Sequence, residues 1–90
     1  MSVKVIVEKL VLDDNTGGYL NFKARSKNVG ECLDDIVRQY PPLKKALFDE
    51  QGGLRFYKLY IVNGKYVSSD LITMPVHDRD EIKIMKFREG

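Results

Sequence analysis

The stretch from Asn28 to Tyr40 constrains this chain more than any other. Asn28 is a good helix N-cap, and Glu31 three residues later completes a pair of the capping-box type. Val29, Cys32, Leu33, Ile36, Val37 and Tyr40 then recur at i, i+3, i+4, i+7, i+8 and i+11, which is one apolar stripe of an amphipathic helix. Asp34, Asp35, Arg38 and Gln39 fall off that stripe. Pro41-Pro42 ends it, because neither residue can donate to the helical ladder and the first restricts Tyr40. A long helix with a single apolar stripe needs a flat apolar surface to lie on, and the flanking sequence supplies strands for it.

Val3-Lys4-Val5-Ile6-Val7-Glu8 is β-branched and alternating, and reads as a strand. Asp13-Asp14-Asn15-Thr16-Gly17-Gly18 is dense turn chemistry, and Tyr19–Ala24 reads as the return strand of a hairpin. After the helix, Leu43 to Phe48 has room for a short helical turn, and 49–53 is a loop. Phe56–Val62 is a strand rich in aromatic and branched residues. Asn63-Gly64 favours a type I′ turn into a short strand, Lys65-Tyr66-Val67. Residues 71–75 read as irregular, 78–80 as a turn, and Glu81–Phe87 as the last strand.

The order is strand, strand, helix, strand, short strand, strand. Two hairpins with one long helix between them fit a mixed sheet of four to five strands, with the helix across one face. The first and last strands are then central and parallel, joined by the long crossover that parallel neighbours require. This is an α+β fold of the β-grasp type, the arrangement of ubiquitin. A ferredoxin-like alternative needs a second long helix after the fourth strand, and 68–76 does not read as one. The chain is expected to form one domain over 1–90, with a short C-terminal tail from about residue 86.

Composition narrows the function classes. Fifteen Lys and Arg against thirteen Asp and Glu leave a formal charge of +2, with the signs interspersed. That balance argues against nucleic acid as a partner. No apolar stretch approaches a membrane span, and no signal-peptide core is present at the start, so no membrane role is expected. The one cysteine, Cys32, excludes an intramolecular disulfide and fits a reducing cytoplasm.

The side chains that carry chemistry are few. Cys32 lies on the apolar stripe and reads as core packing. His77 is alone in a loop, and no second histidine exists to build a metal site. Asp13-Asp14 and Asp49-Glu50 sit among turn formers, and neither Gly17-Gly18 nor Gly52-Gly53 has phosphate-loop spacing. Alternation places Val3, Val5, Val7, Leu59, Ile61, Ile82 and Ile84 toward the helix. It leaves Ile6, Tyr60, Val62, Met85 and Phe87 on the other face of the sheet. Those five, with Arg88 and Glu89, form the expected partner-binding surface. Lys83, Lys86 and Arg88 give the last strand a basic edge, which reads as a solvated strand edge. Gly90, following directly on that strand, is a residue whose missing Cβ lets backbone enter a narrow cleft.

Asn28-Val29-Gly30-Glu31-Cys32-Leu33, then Tyr40-Pro41, then Val62-Asn63-Gly64, then Asp80-Glu81-Ile82 follow the order found in the sulfur-carrier β-grasp proteins, and the chain resembles that family from about Val3 to Gly90. It is most similar to the small subunit of molybdopterin synthase. The thiamine-biosynthesis sulfur carrier and the archaeal ubiquitin-like small modifiers are related. The insert from Pro42 to Arg55 resembles the molybdopterin-synthase type.

The resemblance implies a C-terminal carboxylate on Gly90 that attacks the α-phosphate of ATP in a ubiquitin-activating-type adenylating enzyme. Sulfur then displaces AMP and leaves a thiocarboxylate for use in molybdenum cofactor biosynthesis with the larger molybdopterin synthase subunit. ATP belongs to the activating partner, and the chain itself binds no cofactor. It is a protein co-substrate, not an enzyme alone. Family members end in Gly-Gly, whereas here Glu89 precedes Gly90, and Met85-Lys86-Phe87-Arg88 replaces the usual Pro-containing, small-residue tail. Two other roles stay open beside this one. A ubiquitin-like modifier uses the same carboxylate to form isopeptide bonds, and a β-grasp binding module uses only its sheet. RNA binding through the tyrosines and phenylalanines is the weakest, because the net charge is too small for strong phosphate attraction.

Overall fold

The structure, a computed structural model, describes residues 2–55, 58–67 and 70–86. Five strands form one sheet. They are β1 (Val3–Glu8), β2 (Tyr19–Ala24), β3 (Lys58–Val62), β4 (Lys65–Val67) and β5 (Glu81–Lys86). The strand order is β2-β1-β5-β3-β4, with β1 and β5 parallel and every other neighbouring pair antiparallel. The expected β-grasp arrangement, with the first and last strands central, is therefore the one observed.

The main helix, α1, spans Val29–Gln39, and its start is built as the sequence dictates. Asn28 Oδ1 accepts from the Glu31 backbone N–H at 2.9 Å. The Glu31 carboxylate reaches back to the N–H of Lys27 at 3.4 Å, one residue before the cap. Val29, Cys32, Leu33 and Ile36 are fully buried against the sheet, while Tyr40 at the end of the stripe is 39% exposed. The Tyr40 N–H still donates to the Ile36 carbonyl, and the prolines then release the chain. A short helix, α2 (Leu43–Leu47), comes next and buries Leu43 and Leu47.

The core lies between α1 and the inner face of the sheet. Val3, Val5 and Val7 of β1, Ala24 of β2, and Ile82 and Ile84 of β5 are fully buried. Each such valine or isoleucine side chain contributes about 1.5–3 kcal/mol of transfer free energy. Val11, Leu71 and Val76 close the ends of this layer. Cys32 packs within it, its thiol 3.9 Å from the Ser26 carbonyl, and burial pushes that thiol up.

Strand β3 corrects one expectation. Tyr60 pairs with Ile84 and Val62 with Ile82, so Tyr60 and Val62 share the inner face with the core isoleucines. They are only 4% and 3% exposed. Tyr60 and Val62 therefore pack in the core and do not lie on the outer, partner-facing side. Ile61 takes the outer face opposite Lys83, and Leu59 sits opposite Met85 in the register. A strand that is apolar at successive positions gives no alternation to read, so pairing with β5 sets its parity.

A second difference lies between β1 and β2. Lys9–Leu12 forms a 3₁₀ turn, where the sequence suggested only the loop beyond it. Val11 drops from this turn into the core. The Asn63-Gly64 turn has the expected form, with φ of 50° and 82°, as a type I′ hairpin requires.

Candidate functional site

Strand β5 carries the chain between two partners, β1 on one side and β3 on the other. It is an interior strand, so Lys83 and Lys86 do not form a basic sheet edge. At its end the Lys86 N–H donates to Glu8 Oε1 at 3.1 Å, and its ammonium lies 3.4 Å from Asp13 Oδ1. Asp13 closes the 3₁₀ turn in a left-handed conformation, φ 59°, with its own N–H on the Leu10 carbonyl. The end of β5 is thus held by the last residue of β1 and by the 3₁₀ turn next to it. Phe87, Arg88, Glu89 and Gly90 lie outside the described residues.

The outer face of the sheet faces away from α1. Ile6, Lys83 and Ile61 form a row across the three central strands, and Tyr66 of β4 continues it at 61% exposure. Ile6 and Met85 are both half-buried. The Lys83 ammonium sits 5.0 Å from the centre of the Tyr19 ring. That is a cation–π contact beside the apolar Ile6 and Ile61, on a face that also carries Lys4, Asn21, Lys23 and Glu81 toward the start of β5. The structure thus brings Ile6 and Met85 of the expected surface together and adds Ile61, Lys83, Tyr19 and Tyr66 to it. The signal that would have found them is the pairing register, which period-2 alternation alone does not contain.

Tyr60 illustrates what the inner face does to a polar group. Burial pushes its phenol up to about 12, and its hydroxyl lies 3.5 Å from the Arg55 carbonyl. It is a neutral packing residue with one anchored end.

The acidic turns are turns. Asp14 Oδ1 accepts from the Thr16 hydroxyl at 2.6 Å and from the Thr16 N–H at 3.0 Å, and these bonds hold its carboxyl below the usual range. Asp49 Oδ1 accepts from the N–H groups of Gln51 and Gly53, both at 2.9 Å. His77 is exposed, with its backbone N–H on Asp80 Oδ2. Among the described residues no three His, Cys, Asp or Glu side chains converge as a metal site would require. No described helix is long and apolar enough to cross a membrane.

No protein-family model and no curated protein matches the sequence. Solved structures do match the fold over nearly the whole chain. SAMP1 from Haloferax volcanii superimposes with a TM-score of 0.77 at 18% identity, covering 100% of this chain and 99% of that one. CysO from Mycobacterium tuberculosis gives a TM-score of 0.77 at 20% identity, covering 96% and 99%. A chain of the BexX/CysO complex of Amycolatopsis orientalis gives 0.76 at 24% identity, covering 98% of each. The strand order, the parallel central pair and the one long helix among the described residues are thus those of the β-grasp fold, which SAMP1 and CysO match over 96–100% of this chain.

Proposed function

We propose that this chain is a ubiquitin-like sulfur carrier. The observation that carries the reading is the end-to-end match to SAMP1 and CysO, in which 96–100% of this chain finds a counterpart. The ordered motifs around Asn28, Tyr40, Asn63 and Asp80 support it from the sequence side. The reactive group is the α-carboxylate of Gly90. One carboxylate oxygen attacks the α-phosphate of ATP in an adenylating partner, releasing diphosphate and leaving an acyl-adenylate. Hydrosulfide then attacks the acyl carbon, AMP departs with the bonding pair, and loss of the S–H proton leaves a thiocarboxylate. Activation makes the carbonyl electrophilic, and docking on the partner supplies the orientation.

The acceptor we infer is the pterin precursor of the molybdenum cofactor, reached in complex with a larger synthase subunit. The support is the resemblance of the Pro42–Arg55 insert to that branch. A partner-dependent mode of action also accords with the neighbour solved as a complex of BexX with CysO. The carrier then works in the cytoplasm, which agrees with a single buried thiol.

One specific observation favours a second reading. SAMP1 is a small archaeal modifier protein, and a modifier uses the same carboxylate to form an isopeptide bond with a lysine. Both readings need a free Gly90. Incubation with the cognate adenylating enzyme and ATP is expected to release diphosphate in a carrier-dependent way, and adding a single lysine after Gly90 is expected to abolish that release. Unchanged turnover of the extended chain, or of a chain lacking Glu89-Gly90, removes both readings and leaves the binding module. Covalent higher-mass adducts in its own cells select the modifier.

A further inference from the structure

We propose that the chain binds a phosphate-bearing dianion in a notch at the start of the sheet, at the end opposite to the exit of β5. Three cations, Lys4, Lys23 and Arg79, line an open notch of about 410 Å³ together with Asn21 and Ser2. Glu81, on the same rim, is the neighbour of Lys4 in the parallel β1–β5 register. Its lining cations outnumber its lining carboxylate three to one, and the nearby Asp78 carboxylate, which accepts from the Ser2 N–H, lowers the excess positive charge without cancelling it. Among the described residues, none of the three cations makes an ion pair.

Two features of this place cost stability, and they are independent of each other. Lys4 and Lys23 stand directly opposite in the antiparallel β1–β2 ladder, and like charges so placed repel. Arg79 holds a left-handed backbone, φ 71°, which is unfavourable for a residue with a Cβ. A local clasp keeps it there. The Arg79 N–H donates to the Ser2 carbonyl at 2.8 Å, and the Ser2 N–H donates to Asp78 Oδ1 at 2.7 Å. Unfavourable backbone and charge placements concentrate where a ligand later repays them. A doubly charged oxyanion relieves the Lys4–Lys23 repulsion and bridges both lysines to the guanidinium, which matches phosphate with its forked donors. Asn21 and Ser2 supply neutral donors. The notch is about 17 Å along β5 from Lys86, so occupancy leaves the tail's exit clear, and the inference stands apart from the proposed carrier role.

The test is a titration of the full chain with inorganic diphosphate and, separately, with ADP. It is read by amide chemical shifts at low ionic strength, where charge contacts are least screened. Saturable shifts centred on Ser2–Lys4, Asn21–Lys23 and Arg79–Glu81 are expected for both ligands. Equal affinities mean that the phosphates alone are read, and tighter ADP binding means that the nucleoside adds contact; either supports the site. Lys23→Thr keeps a strand-forming residue and is expected to raise the unliganded thermal midpoint by roughly 1–4 °C. The same change is expected to weaken diphosphate binding about tenfold. Arg79→Asn tolerates the left-handed turn and is expected to weaken binding to a similar degree. Linear, unsaturated shifts, shifts scattered over other lysines, or both variants keeping the parent affinity would overturn the proposal. A lowered midpoint for Lys23→Thr would overturn the argument from cost.

Discussion

Gly30 shows how closely a single residue is specified. A Cβ built there lies 2.7 Å from Ile72 Cγ2 and 2.8 Å from the Ile72 carbonyl oxygen. The Gly30 N–H donates to that same carbonyl at 2.9 Å, so the loop cannot withdraw without losing the bond. Gly30→Ala gains helix propensity but overpacks this contact. A net loss of about 1–2 kcal/mol is expected in urea unfolding. Tyr60 is specified by its environment in a different way. Its folded pKa, about 12, lies above the usual tyrosine value, because burial disfavours the phenolate. A raised folded pKa means that the contribution to stability is whole below about pH 10 and is lost as pH climbs from there to about 12. Comparing Tyr60→Phe with the parent across this window isolates the effect from lysine titration. The parent is expected to lose about 2–3 kcal/mol more than the variant, and parallel curves would contradict the assignment.

At the level of elements, local signals were legible and non-local ones were not. The Asn28 cap, the stripe ending at Pro41-Pro42 and the Asn63-Gly64 turn are decided by residues a few positions apart, so each could be read directly. The inward turn of Tyr60 and Val62 depends on pairing with β5, which lies well downstream in the chain. Its strand carries large apolar side chains on both faces, and parity was therefore invisible. The 3₁₀ turn at Lys9–Leu12 was hidden for a related reason. Lys-Leu-Val-Leu is too short to show either period, and its packing against β5, α2 and β1 defines it. The outer row of Ile6, Lys83 and Ile61 is where the elements meet a partner on this account. Ile61→Thr with Lys83→Glu removes apolar area and reverses the central charge while leaving the core face untouched. Beyond the Lys83–Tyr19 contact, worth about 0.5–1 kcal/mol at an exposed site, little stability should be lost. Adenylation by the partner should show a KM raised about tenfold or more. A KM that stays at the parent value would move the docking surface elsewhere.

At the scale of the whole molecule, one sheet backed by α1 and the short α2 holds a central strand between two neighbours. The fold was legible because a single amphipathic helix between two hairpins admits few arrangements. The proposed tail chemistry rests on family resemblance alone, since Glu89-Gly90 has no pattern of its own that demands adenylation. That chemistry is the central claim, and intact mass spectrometry of the protein purified from its own cells tests it most directly. The account predicts a species whose mass matches replacement of one terminal oxygen by sulfur, lost on alkaline hydrolysis and restored by ATP, the adenylating enzyme and a sulfur donor. A single mass ending at an unmodified Gly90, unchanged after the same incubation, would contradict it.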